Sequence, residues 1–372
     1  MHFQEFHTFA SALLCEGDLW HRLKNEKAPL WIYGTGNGAD KLCQRLERLG
    51  IPYCGFFASD DFVRGQSFRG MQVRRFSDVL EKFPSAIALL AFGTRLPNVI
   101  SDIEKLARRI TLLVPDLPVA GEVYFDGKFL GENLPYFSQV DALWANASSR
   151  FLYREMIAGK LQGGLDRILN AYSSREETPY FSLNSGDTIV DAGAYNGDTV
   201  REMHRIWPAV RDFLAIEPDP KNYKKLCAFC EGEERELRVE AIHAAVGNID
   251  GECLFYSGGN RNSTKTASSH ETKTISIPQV KIDTLSQGRN IKMIKFDVEG
   301  AEEEALLGGR ETIKRCRPAM KIAIYHRSAD LFQIPLLCST LCQDYRFYLC
   351  RNKCLPVWEA DLYAIPKEME NL

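Results

Sequence analysis

Apolar positions gather into short runs, each closed by glycines or acids and followed by a stretch with apolar residues at helical spacing. That alternation predicts strands feeding helices, and so parallel sheets. It occurs twice. In the first half, Leu30 to Tyr33 predicts a strand, Gly34-Thr35-Gly36-Asn37-Gly38-Ala39 a turn, and Asp40 to Leu49 a helix. Ile51 to Ala58 is the next strand, tipped by Asp60 and Asp61. Strands over Ala86 to Phe92 and Ile110 to Val114, with a helix over Asn98 to Arg108, complete a small doubly wound unit. A helical stretch over residues 1–27, stopped by Pro29, precedes it, so the unit is taken as residues 1–118. Residues 119–140, rich in Pro, Gly and aromatics, read as a connector. From Ala142 to Ser173 the stripe Phe151, Ile157, Leu161, Leu165, Leu169 predicts helix, broken at Gly163-Gly164. Residues 119–180 are thus connector and helical lead-in.

Residues 181–372 repeat the strand–turn–helix pattern with more chemistry. Thr188 to Val190 is a buried strand running into Asp191-x-Gly193-x-x-x-Gly197, with Asp198 and Thr199 opening a helix. The glycines read as positions where a ligand approaches the backbone and the helix N-H groups meet it. Phe213 to Ile216 is the second strand, and Glu217 at its tip is placed to accept ribose hydroxyls. Two carboxylates, Asp191 and Asp198, repel a pyrophosphate but suit the cationic methionine end of S-adenosylmethionine. After a strand Arg238 to Ala241, His243-Ala244-Ala245-Val246-Gly247 is a candidate adenine wall. Leu254 to Tyr256 and Ile275 to Val280 predict a hairpin around a long polar loop, Ser257 to Thr274, read as a lid, a recognition loop or a mobile segment. Tyr180 and Phe181 read as a wall of the site or, more simply, as core.

A strand Met293 to Phe296 carries Asp297 and Glu299 at its end, and Ala319 to Tyr325 ends in His326-Arg327. Side chains two apart on an extended segment point the same way, so Asp297, Glu299 and His326 should converge at the sheet edge that holds Asp191 and Glu217. A carboxylate or a neutral histidine there is a candidate general base: Asp297 or His326, with Glu299 orienting. The competing readings are helix caps for the carboxylates and a surface hydrogen bond for the histidine. Lys295 and Lys321, unusual inside strands, are each expected to pair with a carboxylate. Asp297 and Glu299 are two hard ligands, too few to assign a metal, and none is assigned.

Composition adds exclusions. With 45% hydrophobic and 26% charged residues and a net charge of −3, the chain gives no electrostatic reason to bind nucleic acid or an anionic membrane. No apolar run reaches spanning length, and residues 1–20 lack the features of a signal peptide. The 11 cysteines read as reduced core thiols of a cytoplasmic protein, including the pairs Cys338/Cys342, Cys350/Cys354 and Cys227/Cys230. The exposed edge of the first sheet permits a homodimer.

Taken together, VDAGAYNGDT (190–199), AIEPDPKNYKKL (215–226), AAVGN (244–248) and IKFDVEGAEEEALLGG (294–309) resemble the FkbM family of S-adenosylmethionine-dependent methyltransferases, over roughly residues 142–366. The first domain resembles an extension carried by some members. The resemblance implies a seven-stranded methyltransferase sheet with an antiparallel closing hairpin, S-adenosyl-L-methionine as cofactor, and O-methylation of a sugar, glycan or natural-product hydroxyl. It implies that Asp191, Gly193 and Gly197 line the methionine end, that Glu217 binds the ribose and that Asp297 sits near the methyl group; Ala194, Asn196, Asp198, Thr199, Pro218, Ala244 and Ala245 complete the expected cofactor-binding set. Relatives carry a His-rich run near the C-terminus; here Cys350-Arg351-Asn352-Lys353 stands in its place. Two rival readings are a non-catalytic protein sensing a nucleotide or sugar-nucleotide through its first domain, and an NAD-dependent oxidoreductase using Gly34 to Ala39 with Asp60 or Asp61.

Overall fold

The structure, a computed structural model, describes residues 2–172, 180–233, 237–257 and 273–370. The first half holds a five-stranded parallel sheet in the spatial order Arg74–Arg75, Gly55–Ala58, Leu30–Tyr33, Ile87–Leu90, Thr111–Leu113. All four residues of Leu30–Tyr33 and of Ile87–Leu90 are buried, as expected of strands covered by helices on both faces. The chain order reverses between these two strands, which makes their carboxyl ends a crevice.

The second half holds the seven-stranded sheet, ordered Arg238–Ile242, Asp212–Ile216, Thr188–Ala192, Ile291–Phe296, Ala319–Ala323, Ala360–Pro366, Tyr345–Arg351. The first five run parallel, and Ala360–Pro366 inserts antiparallel between its neighbours. The protein is therefore α/β, with a Rossmann-like unit followed by a methyltransferase-type sheet. The strands Gly251–Ser257 and Lys273–Val280 pair antiparallel but form their own small sheet with Ala245–Val246. The polar loop expected between them lies largely at 258–272, outside the described residues.

The connector expected over 119–140 is itself folded. It contains the helices Gly127–Glu132 and Leu134–Leu143. Asp126 caps the first by accepting from the Phe129 N-H at 2.9 Å. Pro135 opens the second in its first turn, where its missing N-H costs nothing. The glycines and the proline of this connector are helix punctuation. Phe125, Phe137, Tyr153 and Phe332 form one aromatic core that joins the two halves, and His2–Glu16 packs onto Leu134–Leu143 beside it. The break at Gly163 holds: it ends the helix Ala147–Gln162 in the left-handed conformation at φ 67°. Farther along, Thr94 and Leu355 exchange backbone hydrogen bonds of 2.8 and 2.9 Å, tying the loop after Ile87–Leu90 to the turn of the C-terminal hairpin.

Candidate active site

The fully buried strand Thr188–Ala192 delivers the chain to a turn with φ of 92° at Gly193 and 86° at Gly197. A Cβ at Gly193 would stand 1.9 Å from the Asp297 carbonyl oxygen, and one at Gly197 2.2 Å from the Phe229 ring. Both glycines thus admit neighbouring protein at close range, and the packing at Gly193 fixes the loop against the exit of the next strand. Asn196 Oδ1 and Asp198 Oδ1 accept from the Asp198 and Thr199 N-H groups at 3.2 and 2.9 Å, so these side chains brace the start of the helix Asp198–Ile206.

Beyond that turn lies a cavity of about 390 Å³ at the carboxyl ends of the strands. Gly193, Asp198, Thr199, Glu217, Pro218 and Ala245 line it. Glu217 Oε2 accepts from the Tyr195 N-H at 2.8 Å and Oε1 from the Asp219 N-H at 2.9 Å. Burial pushes the Glu217 carboxyl up to about 7, against those two donors. Ile216, Val246 and Phe255 give the same end of the cavity apolar walls.

Other expected site residues stand behind the wall. Asp191, Ala194, Asn196, Gly197 and Ala244 do not line the cavity. Asp191 is fully buried, and its Oδ1 accepts from Lys295 Nζ at 3.1 Å. Lys295 also donates to the Gly193 carbonyl at 3.1 Å and Thr199 Oγ1 at 3.3 Å, and stands 3.7 Å from Asp297 Oδ2. Burial alone would depress the Lys295 amine; Asp191 and Asp297 override it and keep it charged. The lysine inside the strand is thus the tie between the glycine turn and Asp297. Tyr180 and Phe181 are not walls of the cavity: Tyr180 stacks on Tyr348 at 4.2 Å and Phe181 on Trp207 at 5.0 Å.

On the far side, Asp297 and Glu299 line the cavity. Glu299 has φ 53°, so the segment is not extended there. The two carboxylates nevertheless converge, with Asp297 Oδ1 3.4 Å and Glu299 Oε2 3.5 Å from His326 Nε2. Neither caps a helix; Glu302–Leu307 starts at Ala301 with no side-chain cap. His326 is fully buried, does not line the cavity and has Glu302 Oε1 3.0 Å from its Nδ1. Burial would lower the imidazole, but Glu302, Glu299 and Asp297 raise it well above its ordinary range. The ring stands behind the two carboxylates and off the cavity, so any part it plays in proton transfer runs through Asp297 or Glu299. Burial pushes Glu299 up to about 7, offset in part by His326. Burial would likewise raise Asp297, but Lys295, His326 and Lys321 hold it below the usual carboxylate range.

Sequence reasoning missed the rest of this side: Tyr325, Asn352, Glu359 and Asp361, together with Arg95 from the first half. Lys321 pairs with Asp361 at 3.3 Å, so the second lysine inside a strand was the signal for that group. Nothing local marks Arg95; it arrives because residues 94 and 355 are hydrogen-bonded. Arg351 is fully buried and donates to five backbone carbonyls: Ile168, Ala171, Cys354, Pro356 and Trp358. That segment holds the hairpin turn in shape, and Asn352 is its one residue on the cavity.

A second cavity, of about 400 Å³, lies over the first-half turn and is lined by Thr35, Gly36, Lys41 and Trp358 among others. Asp60 and Asp61 are not on it; they lie in the short 3-10 turn Asp60–Phe62, where Asp60 Oδ1 accepts from the Ser77 N-H at 3.1 Å. Neither acid at the second strand's exit lines this crevice; the carboxylate that does is Glu122, from the segment after the last strand of the sheet.

The sheet order, the glycine turn and the acid-tipped second strand define a methyltransferase of the Rossmann-like class. Residues 191–353 match the family model of the methyltransferase FkbM domain, which supports the resemblance read from the sequence. The crystal structure of a methyltransferase FkbM from Methylobacillus flagellatus has a TM-score of 0.70 at 18% identity, covering 98% of this chain and 99% of that one. Aeropyrum pernix fibrillarin with natively bound S-adenosyl-L-methionine has a TM-score of 0.31 at 15% identity, over 49% of this chain and 67% of that one. A methyltransferase from Geobacter sulfurreducens has a TM-score of 0.30 at 14% identity, over 73% and 96% respectively. No curated protein matches the sequence. The protein is an enzyme, a methyltransferase, and its cofactor is S-adenosyl-L-methionine. The cavity fits that group: a buried carboxylate at the second strand tip, apolar walls beside it, and the acids Asp198 and Glu202 for a cationic end. No helix among the described residues is long and apolar enough to cross a membrane.

Proposed function

We propose that the enzyme methylates a hydroxyl oxygen of a sugar, glycan or polyhydroxylated natural product. The observation that carries this reading is the pair Asp297 and Glu299 on the cavity wall opposite Glu217. S-adenosyl-L-methionine supplies an electrophilic methyl group. An unactivated hydroxyl is a weak nucleophile, so a neighbouring group must take its proton as the new bond forms. Glu299 is the carboxylate this reading assigns as proton acceptor, with Asp297 holding the hydroxyl in line. Glu217 binds the ribose of the cofactor, while Asp198 and Thr199 face its methionine end. His326 is a positioning residue: it touches both carboxylates from below. Around them Tyr325, Asn352, Glu359, Asp361 and Arg95 offer donors and acceptors suited to an acceptor rich in hydroxyls.

The test is methyl transfer from isotopically labelled cofactor to a panel of glycosides and polyols, with the product's new methyl located by NMR. An O-methyl product, lost in Glu299→Gln and in Asp297→Asn while S-adenosylhomocysteine binding persists, supports the reading. A methyl group on nitrogen or carbon, or full turnover in both variants, overturns it.

A further inference from the structure

We propose that Asp297, Glu302 and His326 hold a divalent first-row metal ion beneath the floor of the active-site cavity. The three residues come from separate places in the fold: the end of the strand Ile291–Phe296, the first turn of the helix Glu302–Leu307, and the segment after Ala319–Ala323. Their ligand atoms all lie within 4.8 Å of one another. Metal–nitrogen and metal–oxygen bonds run about 2.0–2.2 Å, so an ion between them draws the set in by well under about 1 Å.

The second observation is the state of the buried atoms. His326 is 0% exposed and Glu302 1%. Neither ring nitrogen of His326 has a hydrogen-bond partner, and neither does Glu302 Oε2. The nearest approach to the ring is Glu302 Oε1, 3.0 Å from Nδ1 and outside hydrogen-bond geometry. That Oε1 instead accepts from the Val298 and Gly300 N-H groups at 2.9 and 3.3 Å, which leaves Oε2 free and the carboxylate firmly oriented. Buried polar atoms without partners are rare and mark an ion or a water. A proton on the ring offsets one negative charge but leaves Glu302 Oε2 bare. Glu299 Oε2, 3.5 Å from Nε2, adds a third carboxylate to one imidazole. An ion takes one ring nitrogen and Glu302 Oε2, leaves the other nitrogen to carry the proton toward its neighbouring carboxylate, and offsets the excess negative charge.

One imidazole nitrogen with carboxylate oxygens suits Mn²⁺ or its first-row neighbours better than Ca²⁺ or Mg²⁺, which favour all-oxygen shells. Asp297 also lines the cavity, so the ion and the cavity share one ligand. The chemical consequence rests on the hydroxyl-transfer reading: an ion at this place polarises an acceptor oxygen that reaches it beside Asp297. The ion itself does not depend on that reading.

The test uses the full chain, stripped with a chelator and titrated with MnCl₂, with free Mn²⁺ followed by electron paramagnetic resonance. Mn²⁺ is the probe because the cysteine thiols compete poorly for it. One ion per chain is expected, bound in the micromolar range, with a ¹⁴N coupling in the spin-echo spectrum from the imidazole. Glu302→Gln and His326→Gln should each weaken it by at least about tenfold, and the nitrogen coupling should vanish in His326→Gln. Asp297→Asn, at the cavity wall, gives the same answer if the two buried variants do not fold. No uptake, uptake without nitrogen coupling, or uptake unchanged in the variants overturns the proposal. Calorimetry with S-adenosylhomocysteine on the stripped protein separates the cases: cofactor binding without Mn²⁺ binding sinks only the ion, and the reverse sinks the methyl-transfer reading.

Discussion

The chain builds the same local device twice. In each half a buried strand runs into a glycine turn and a helix, and a cavity opens above it, about 400 Å³ over Gly34 to Ala39 and about 390 Å³ over Gly193 to Thr199. Both turns are packed against the neighbouring strand's exit. A Cβ at Gly38 would stand 2.1 Å from the Ala91 carbonyl oxygen, much as one at Gly193 would stand 1.9 Å from that of Asp297. The glycines therefore do not distinguish the halves. The tip of the second strand does. Glu217 is drawn into its cavity by two backbone N-H groups, whereas Asp60 turns aside to the Ser77 N-H and Asp61 stays exposed. A glycine turn reports how closely a helix packs on a sheet; an acid held at the adjoining strand tip reports a ligand.

The largest expected effect breaks the working half at that acid. Glu217→Ala removes a carboxylate placed for two charge-assisted hydrogen bonds, each worth about 1.5–3 kcal/mol. S-adenosylhomocysteine affinity, read by calorimetry, should fall by about two orders of magnitude or more. Glu217→Gln keeps one acceptor oxygen and should fall in between. Unchanged affinity in Glu217→Ala would mean that the cofactor lies elsewhere. Next come the matched glycines. Gly193→Ala and Gly38→Ala both push a methyl into a carbonyl, and overpacking of this kind costs about 1–3 kcal/mol. Both should lower the melting temperature. Gly193→Ala should also displace Asp297 and cut turnover, while Gly38→Ala leaves turnover of the folded fraction intact. Equal losses of turnover would tie the first turn to catalysis.

The same comparison explains what the sequence made legible. Strand exits with acids are local signals, so Glu217, Asp297 and Glu299 stand out from the residues around them. Lys295 and Lys321 are legible because charge inside a buried strand must be paired, and each is, with Asp191 and Asp361. Whether an acid faces a cavity or lies behind it depends on neighbours far along the chain. Asp191 and Asp198 look alike in sequence, yet one is sealed under Lys295 and the other lines the cleft. The burial of His326 is illegible for the same reason: its three carboxylate neighbours include Glu302, which looks like an ordinary first-turn helix residue. Arg95 is invisible because its place depends on a backbone bridge between residues 94 and 355. The helices Gly127–Glu132 and Leu134–Leu143 are hidden by glycines and a proline that sit where helices tolerate them.

A pH series sharpens the role of Glu217. Burial raises its carboxyl to about 7, and in the proposed reading the ribose is held by the ionised form. A group raised in the free protein must lose its proton to bind, so affinity is full above about pH 8 and declines as pH falls through 7. The expected decline between pH 8 and 6 is about tenfold. In Glu217→Gln the slope should disappear. A slope that survives in Glu217→Gln assigns the titration to another group.

The smallest expected effects test the other half of the comparison. Asp61→Ala removes an exposed carboxylate and should leave stability within about 0.5 kcal/mol and cofactor affinity unchanged. Asp60→Ala loses the 3.1 Å bond from the Ser77 N-H, a net contribution of about 0.5–1.5 kcal/mol, and should lower the melting temperature slightly with no change in S-adenosylhomocysteine binding. NAD, added to either variant or to the unaltered chain, should give no protection against thermal unfolding, because no acid on the first cavity's second strand stands where a ribose would need it. Protection by NAD that Asp60→Ala or Asp61→Ala abolishes would show that these side chains swing into the crevice, and the contrast between the two strand tips would then lie in ligand-induced movement and not in the fold.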